Sequence, residues 1–327
     1  MKRILGIFVL LVIVYLATWV MSDLLTGRQS FLSAYNQENL LRRTALFGII
    51  GIGVAFVVIT GGIDLSIGSV VCLIGVSFPW MAVKIGLPAW LALSIIVVVS
   101  LAIGFCHGLL VTKMKLQPFV VTLCGLLLYR GITRGLTNDQ TAGFQGELKG
   151  LRLLANGEIP MTDNFGIPVP CLILLVVALL AGFFLNRTIY GRYLLALGNN
   201  EEAARFSGIN TDRMTILAYV ICSFLAGLGG LLFVLDTNSA QPVDFGNFYE
   251  LFAIAAAVLG GCSLRGGSGT IIGVIIGTAL IQLLRNMITL VDEIPQNIEY
   301  AVIGAVILIG ALGDEVAKRI IASRRQA

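Results

Sequence analysis

The chain is built from apolar runs about as long as a lipid bilayer is thick. A helix crosses hydrocarbon in roughly 20 apolar residues. Charges and turn residues divide this sequence into ten such runs: 4–22, 44–62, 65–83, 87–112, 116–136, 168–186, 214–235, 251–264, 269–286 and 298–313. Backbone groups in lipid must find their hydrogen bonds internally, so runs of this length span as helices. The expected fold is an all-α integral membrane protein, a polytopic bundle of about ten transmembrane helices forming one domain over 1–327.

Composition agrees. Charged residues make up 12% of the chain, against about 25% in soluble domains, so lipid is the expected solvent. The net charge of +4 is too small to indicate nucleic acid. The six cysteines form no CxxC pair and sit in apolar runs, where they read as small buried hydrophobes. His107 is the only histidine, which excludes a histidine-rich metal site. It reads as a helix-terminal or packing residue. No catalytic constellation, metal site or cofactor is expected. The first run follows Lys2 and Arg3, is long, lacks a small-residue cleavage site, and reads as an uncleaved first span.

Two joints are unusual. Runs 44–62 and 65–83 are separated only by "GGIDLSIGS", and runs 251–264 and 269–286 only by "SLRGGSGT". Gly-interrupted pairs of this kind mark broken helices along a pathway. Gly61, Gly62 and Gly68 would permit a sharp turn. Asp64 is costly at membrane depth; it, or Ser66, would instead cap the helix that follows.

Basic residues set the expected orientation. Lys2, Arg3, Lys113, Lys115, the arginines of 187–213 and the basic tail fall on one side, read as cytoplasmic together with both termini. Segments 23–43 and 137–167 then form long outward loops, the second an ordered cap rich in turn residues.

Within 187–213 lies "GNNEEAARFSGINTDRM". Asn199 or Asn200 can cap a helix start, Glu201 and Glu202 fall in its first turn, Arg205 near its end, and Gly208 where a left-handed cap is wanted. A helix of about seven residues, from Glu201 to Ser207, follows. Alone in water it is not stable, so its own protein or a partner must hold it. Ala203 and Ala204 are small enough for a groove in another protein, and Phe206 can anchor there. On the residues alone, a plain helical loop and a docking plug both stand.

The stretch "GRYLLALGNNEEAARFSGINTDRM" resembles the cytoplasmic coupling loop of ATP-binding-cassette sugar permeases of the ribose, xylose, arabinose and galactoside type. The segments "GGIDLSIGSVVCLIG", "KLQPFVVTLCGLLLYRGI" and "GGCSLRGGSGTIIGVIIGTALIQLLRN" resemble other parts of that family in the same order, from about residue 36 to 312. The resemblance implies a permease domain of a monosaccharide importer in a bacterial inner membrane. It implies a second permease copy or paralogue, a separate ATPase subunit, and a periplasmic sugar-binding protein. It assigns Glu201, Glu202, Ala203, Ala204, Arg205, Phe206 and Gly208 to contact with the ATPase. The chain has no G-x-x-x-x-G-K-[ST] run, so ATP hydrolysis is expected on another polypeptide.

Gln282, Arg285 and Asn286 share one helical face. That face reads either as sugar-contacting lining or as a polar seam between helices. Asp64 reads as a backbone-folding residue ahead of a direct sugar contact. The rivals are an ion-coupled secondary transporter, an intramembrane enzyme and a branched-chain amino-acid permease. The first wants more membrane carboxylates than Asp64, and the second a constellation that is missing. The sugar itself is not legible, though the similarity favours ribose.

Overall fold

The computed structural model describes residues 2–26, 30–291, 295, 298–305 and 308. Helix α1 (Lys2–Thr26) is followed by α2 (Ala34–Ile59) and α3 (Ile67–Pro79). A wider π turn at Trp80–Lys84 continues α3 before α4 (Ala89–Thr112) and α5 (Pro118–Thr137). Then come β1 (Ala142–Gly143), α6 (Lys149–Asn156), β2 (Glu158–Thr162), β3 (Phe165–Pro168) and α7 (Val169–Arg187). Short α8 (Ile189–Asn199) and α9 (Glu201–Phe206) precede α10 (Thr211–Thr237), β4 (Ser239–Ala240), α11 (Tyr249–Leu259) and α12 (Ile271–Leu290).

Eight of the described helices are long and apolar enough to cross a membrane. The ten-run reading needs three corrections. The run 251–264 is only the 11-residue α11, roughly 16 Å long and too short to span. Helix α2 begins at Ala34, capped by the Ser33 hydroxyl on the Asn36 N–H, so much of the expected 23–43 loop is helix. The loop 187–213 holds α8 as well as the short helix. Of the run 298–313, residues 306–307 and 309–313 lie outside the described residues.

The innermost spans are α2 and α3, with α10 packed against both. Nearly every residue of α2 from Ala45 to Ile59 is buried, and α10 packs on α2, α3 and α4. Their all-round apolarity fits helices enclosed by other helices. By contrast α1, α4, α5 and α7 expose leucine, valine and phenylalanine outwards, as lipid-facing helices do. At one end of the bundle, residues 137–168 form the expected cap. Strand β1 pairs with β4, and β2 with β3. Arg42 holds Glu158 in an ion pair. The Arg134 guanidinium grips Asp139, holding that exposed carboxyl below its ordinary range. The opposite end carries α8 and α9.

Candidate functional site

The α9 end is assembled by caps. The Asn200 side chain accepts from the Ala203 N–H at 2.9 Å, and Gly208 closes the helix in the left-handed region at φ +83°. Arg205 donates to Glu201 at 2.7 Å and to the Thr211 hydroxyl at 3.1 Å. The Asn210 side chain caps α10 through the Arg213 N–H at 3.0 Å, and Lys113, just past the end of α4, pairs with Asp212 at 2.7 Å. A helix too short to stand alone is thus tied at both ends to its own chain.

Its surface divides sharply. Phe206 is 91% exposed, a large apolar ring left to solvent or a partner, and Glu201, Glu202 and Ala203 are exposed beside it. Ala204 is only 4% exposed. Its methyl group packs inside this chain, and its carbonyl accepts from the Ile209 N–H at 3.1 Å. It is therefore not presented to a groove in another protein.

Helix α8 is locked to the bundle by backbone contact. A Cβ on Gly198 would overlap the Ile59 carbonyl oxygen at the end of α2. The same oxygen accepts from the Gly267 N–H at 2.9 Å. The two Gly-rich joints of the sequence therefore meet under α8, next to α9.

The first joint is a true break. Residues 61–66 are not helical, and Gly61 turns the chain at φ +81°. Gly62 is small for a different reason, since a Cβ there would lie 2.9 Å from the Tyr219 hydroxyl. Asp64 is 1% exposed, and its Oδ1 accepts from the Ser66 N–H at 2.9 Å and the Ser66 hydroxyl at 2.6 Å. The carboxylate folds the turn into α3, and Ser66 itself makes no side-chain cap. Gly68 lies inside α3, where it lets the backbone meet Gly246 of the segment between β4 and α11.

Around the break stands a polar cluster. Thr122 and Tyr219 donate to the Ile63 carbonyl at 3.3 and 3.5 Å. His107, 2% exposed in α4, bonds through Nε2 to the Tyr129 hydroxyl at 2.9 Å. Among the described residues, Asp64 Oδ2 and His107 Nδ1 have no hydrogen-bond partner. The Cys222 thiol, a weak donor, lies beside the carboxylate.

The segment 241–248 dips back into the bundle. Arg130 of α5 holds it by donating to the carbonyls of Pro242 (3.2 Å) and Phe245 (2.6 Å). Run boundaries pass over this feature. Its sign in the sequence is Arg130 itself, a cation within an apolar run, which calls for an internal partner.

Gln282, Arg285 and Asn286 do share a face, and it forms a seam. Asn286 and Asn36 exchange amide bonds at 2.7 and 3.2 Å. Arg285 pairs with Glu299 at 2.5 Å and lies over the rings of Phe252 and Phe47. Gln282 is buried, and among the described residues its Nε2 has no partner.

Broken helices within a multi-helix membrane bundle, with a braced helix at one end, define a transport permease. The chain belongs to the family described as branched-chain amino acid transport system / permease component, whose model matches residues 36–311. It is similar to the ribose import permease protein RbsC of Haemophilus influenzae, 38% identical over 286 residues (87% of this chain, 86% of the relative). It is 36% identical to RbsC of Bacillus subtilis over 310 residues (95% and 91%). The xylose transport system permease protein XylH of Escherichia coli is 32% identical over 344 aligned positions (89% and 87%). No solved structure matches.

Proposed function

We propose that this chain is the membrane-spanning subunit of an importer powered by a separate ATPase subunit. It carries a monosaccharide, with ribose favoured, across the bacterial inner membrane. The termini and α9 face the cytoplasm, and a second copy or paralogue completes the pathway. A periplasmic sugar-binding protein delivers substrate at the end capped by residues 137–168. The observation that carries the reading is α9: a capped, braced helix presenting Phe206 to the outside. An ATPase groove that takes Phe206, with Glu201, Glu202, Ala203, Arg205 and Gly208 around it, gains a lever. Its push passes through Gly198 to the end of α2, and through Thr211 to α10. Gly61, Gly62, Asp64, Ser66 and Gly68 shape the break that this push moves. The names of RbsC and XylH support a pentose, and the order of sequence segments supports the sugar type.

The family's description favours a second reading, a branched-chain amino acid. Uptake into proteoliposomes containing the permease, its ATPase and its binding protein tests both. ATP-dependent uptake of labelled ribose or xylose, with labelled leucine left outside, is expected. Leucine uptake without sugar uptake would replace the first reading by the second.

A further inference from the structure

A cavity of about 340 Å³ lies between α9 and the α2–α3 break. It falls at the lower end of the size range of small-molecule sites, about 300 Å³ upward. Its walls come from five places: the end of α2, the α4–α5 turn, α8, α9 and the first turns of α10. Thr60, Thr112, Gln117, Glu201, Thr215 and Tyr219 supply hydroxyl, amide and carboxylate groups, a mixture of donors and acceptors.

The charges at this wall are matched within the protein. Glu201 is paired with Arg205, and Asp212 with Lys113 and, at 3.9 Å, Lys115. Each of these ions has an opposite charge within 4.0 Å, so an ionic ligand binds here only in competition with a pair already made. The Thr60, Thr112 and Tyr219 hydroxyls already donate to backbone carbonyls and keep only acceptor capacity. Among the described residues the Thr215 hydroxyl and the Gln117 amide remain to be bonded, and a neutral molecule rich in hydroxyls answers this set. At about 30 Å³ per water, the space equals roughly ten waters, enough for one monosaccharide.

We propose that this cavity is a second sugar site, at the α9 end, for a neutral monosaccharide that has already crossed. The proposal rests on the sugar reading given above. An occupant touches Glu201 of α9, Thr60 of α2 and Thr215 of α10 together, and so holds α9 at its observed spacing from the break. Sugar accumulating on that side resists the movement of α9 and slows further import.

The test uses the purified full chain in lipid nanodiscs without ATPase or binding protein. Ribose and xylose are the probes and ribose 5-phosphate the anionic control. One of the neutral sugars is expected to raise the thermal midpoint saturably, and the phosphate to have no effect. Thr215→Val and Gln117→Leu are each expected to weaken the sugar effect at least tenfold. Thr215→Val conserves volume, so it carries the test if Gln117→Leu does not fold. Binding of neither sugar, equal binding of the phosphate, or binding untouched by Thr215→Val overturns the site. Sugar uptake by the assembly with no binding here sinks this inference alone; absence of sugar uptake sinks the reading beneath it.

Discussion

Gly198 lies against the carbonyl oxygen of Ile59 so closely that no side chain fits between them. This contact joins the helix leading into α9 to the end of the most buried helix of the bundle. Overpacking of this kind costs about 1–3 kcal/mol. Gly198→Ala should therefore lower the thermal midpoint by several degrees and cut ATP-driven uptake more than stability alone explains. Thermal unfolding in nanodiscs and uptake in proteoliposomes measure the two. Uptake that follows stability in proportion would deny the contact a role in transmission.

Phe206 and Ala204 should separate. Phe206→Ala removes an exposed ring, so folding stability should change by about 0.5 kcal/mol or less. Loss of an interface anchor costs about 2 kcal/mol or more in affinity, so ATPase binding should weaken by roughly thirtyfold. Ala204→Trp should do the reverse, destabilising the permease because its methyl group is already enclosed. Co-purification with the ATPase, alongside thermal midpoints, distinguishes the two. Unimpaired binding by Phe206→Ala would remove α9 from the interface.

The Asn36–Asn286 pair tests the polar seam. Asn286→Ala leaves the half-buried Asn36 Oδ1 without its donor, while Asn36 Nδ2 keeps the Phe31 carbonyl at 2.9 Å, a cost of about 1 kcal/mol. Asn36→Leu with Asn286→Leu removes both partners and should recover part of that loss. A double-mutant cycle that showed no coupling would detach the pair from stability. A drop in uptake at unchanged stability would return this face to the pathway.

What the sequence discloses follows from how local its causes are. The cap at Asn200, the stop at Gly208 and the first-turn acids are read within a few residues, and α9 forms where they place it. Long apolar runs such as 87–112 and 168–186 fall within two residues of α4 and α7. The hold of Arg130 on segment 241–248 and the meeting of Gly68 with Gly246 depend on residues far apart in the chain. Spacing carries no trace of them. Hydropathy also cannot separate an 11-residue α11 from a full crossing when glycine and cysteine extend the apolar run beyond it.

Arg130 gives a sharper case. One guanidinium nitrogen, Nη1, donates to two carbonyls at once, held in place by a planar group that a rotatable lysine ammonium on a shorter stem does not reproduce. Arg130→Lys keeps the charge and should loosen the segment 241–248. Hydrogen exchange across 241–248 should speed at least tenfold, equivalent to about 1.4 kcal/mol, with exchange in the interior of α2 unchanged. Equal protection in both proteins would show that Gly68 and Gly246 hold the segment without help.

Asp64 separates shape from charge. Its Oδ1 accepts two bonds from Ser66, which fold the break, while Oδ2 has none among the described residues. An asparagine keeps an oxygen for Ser66 and gives up the charge. An alanine gives up both, leaving the Ser66 N–H buried without its partner at a cost of about 1–3 kcal/mol. If the residue acts by folding the backbone, Asp64→Asn should retain the thermal midpoint within a few degrees and most of the uptake. Asp64→Ala should lose both. Ser66→Ala, which removes one of the two bonds, should fall between them. Uptake abolished by Asp64→Asn at an unchanged thermal midpoint would assign the unpartnered oxygen a direct part in transport, and the structure of the break would then be its setting rather than its purpose.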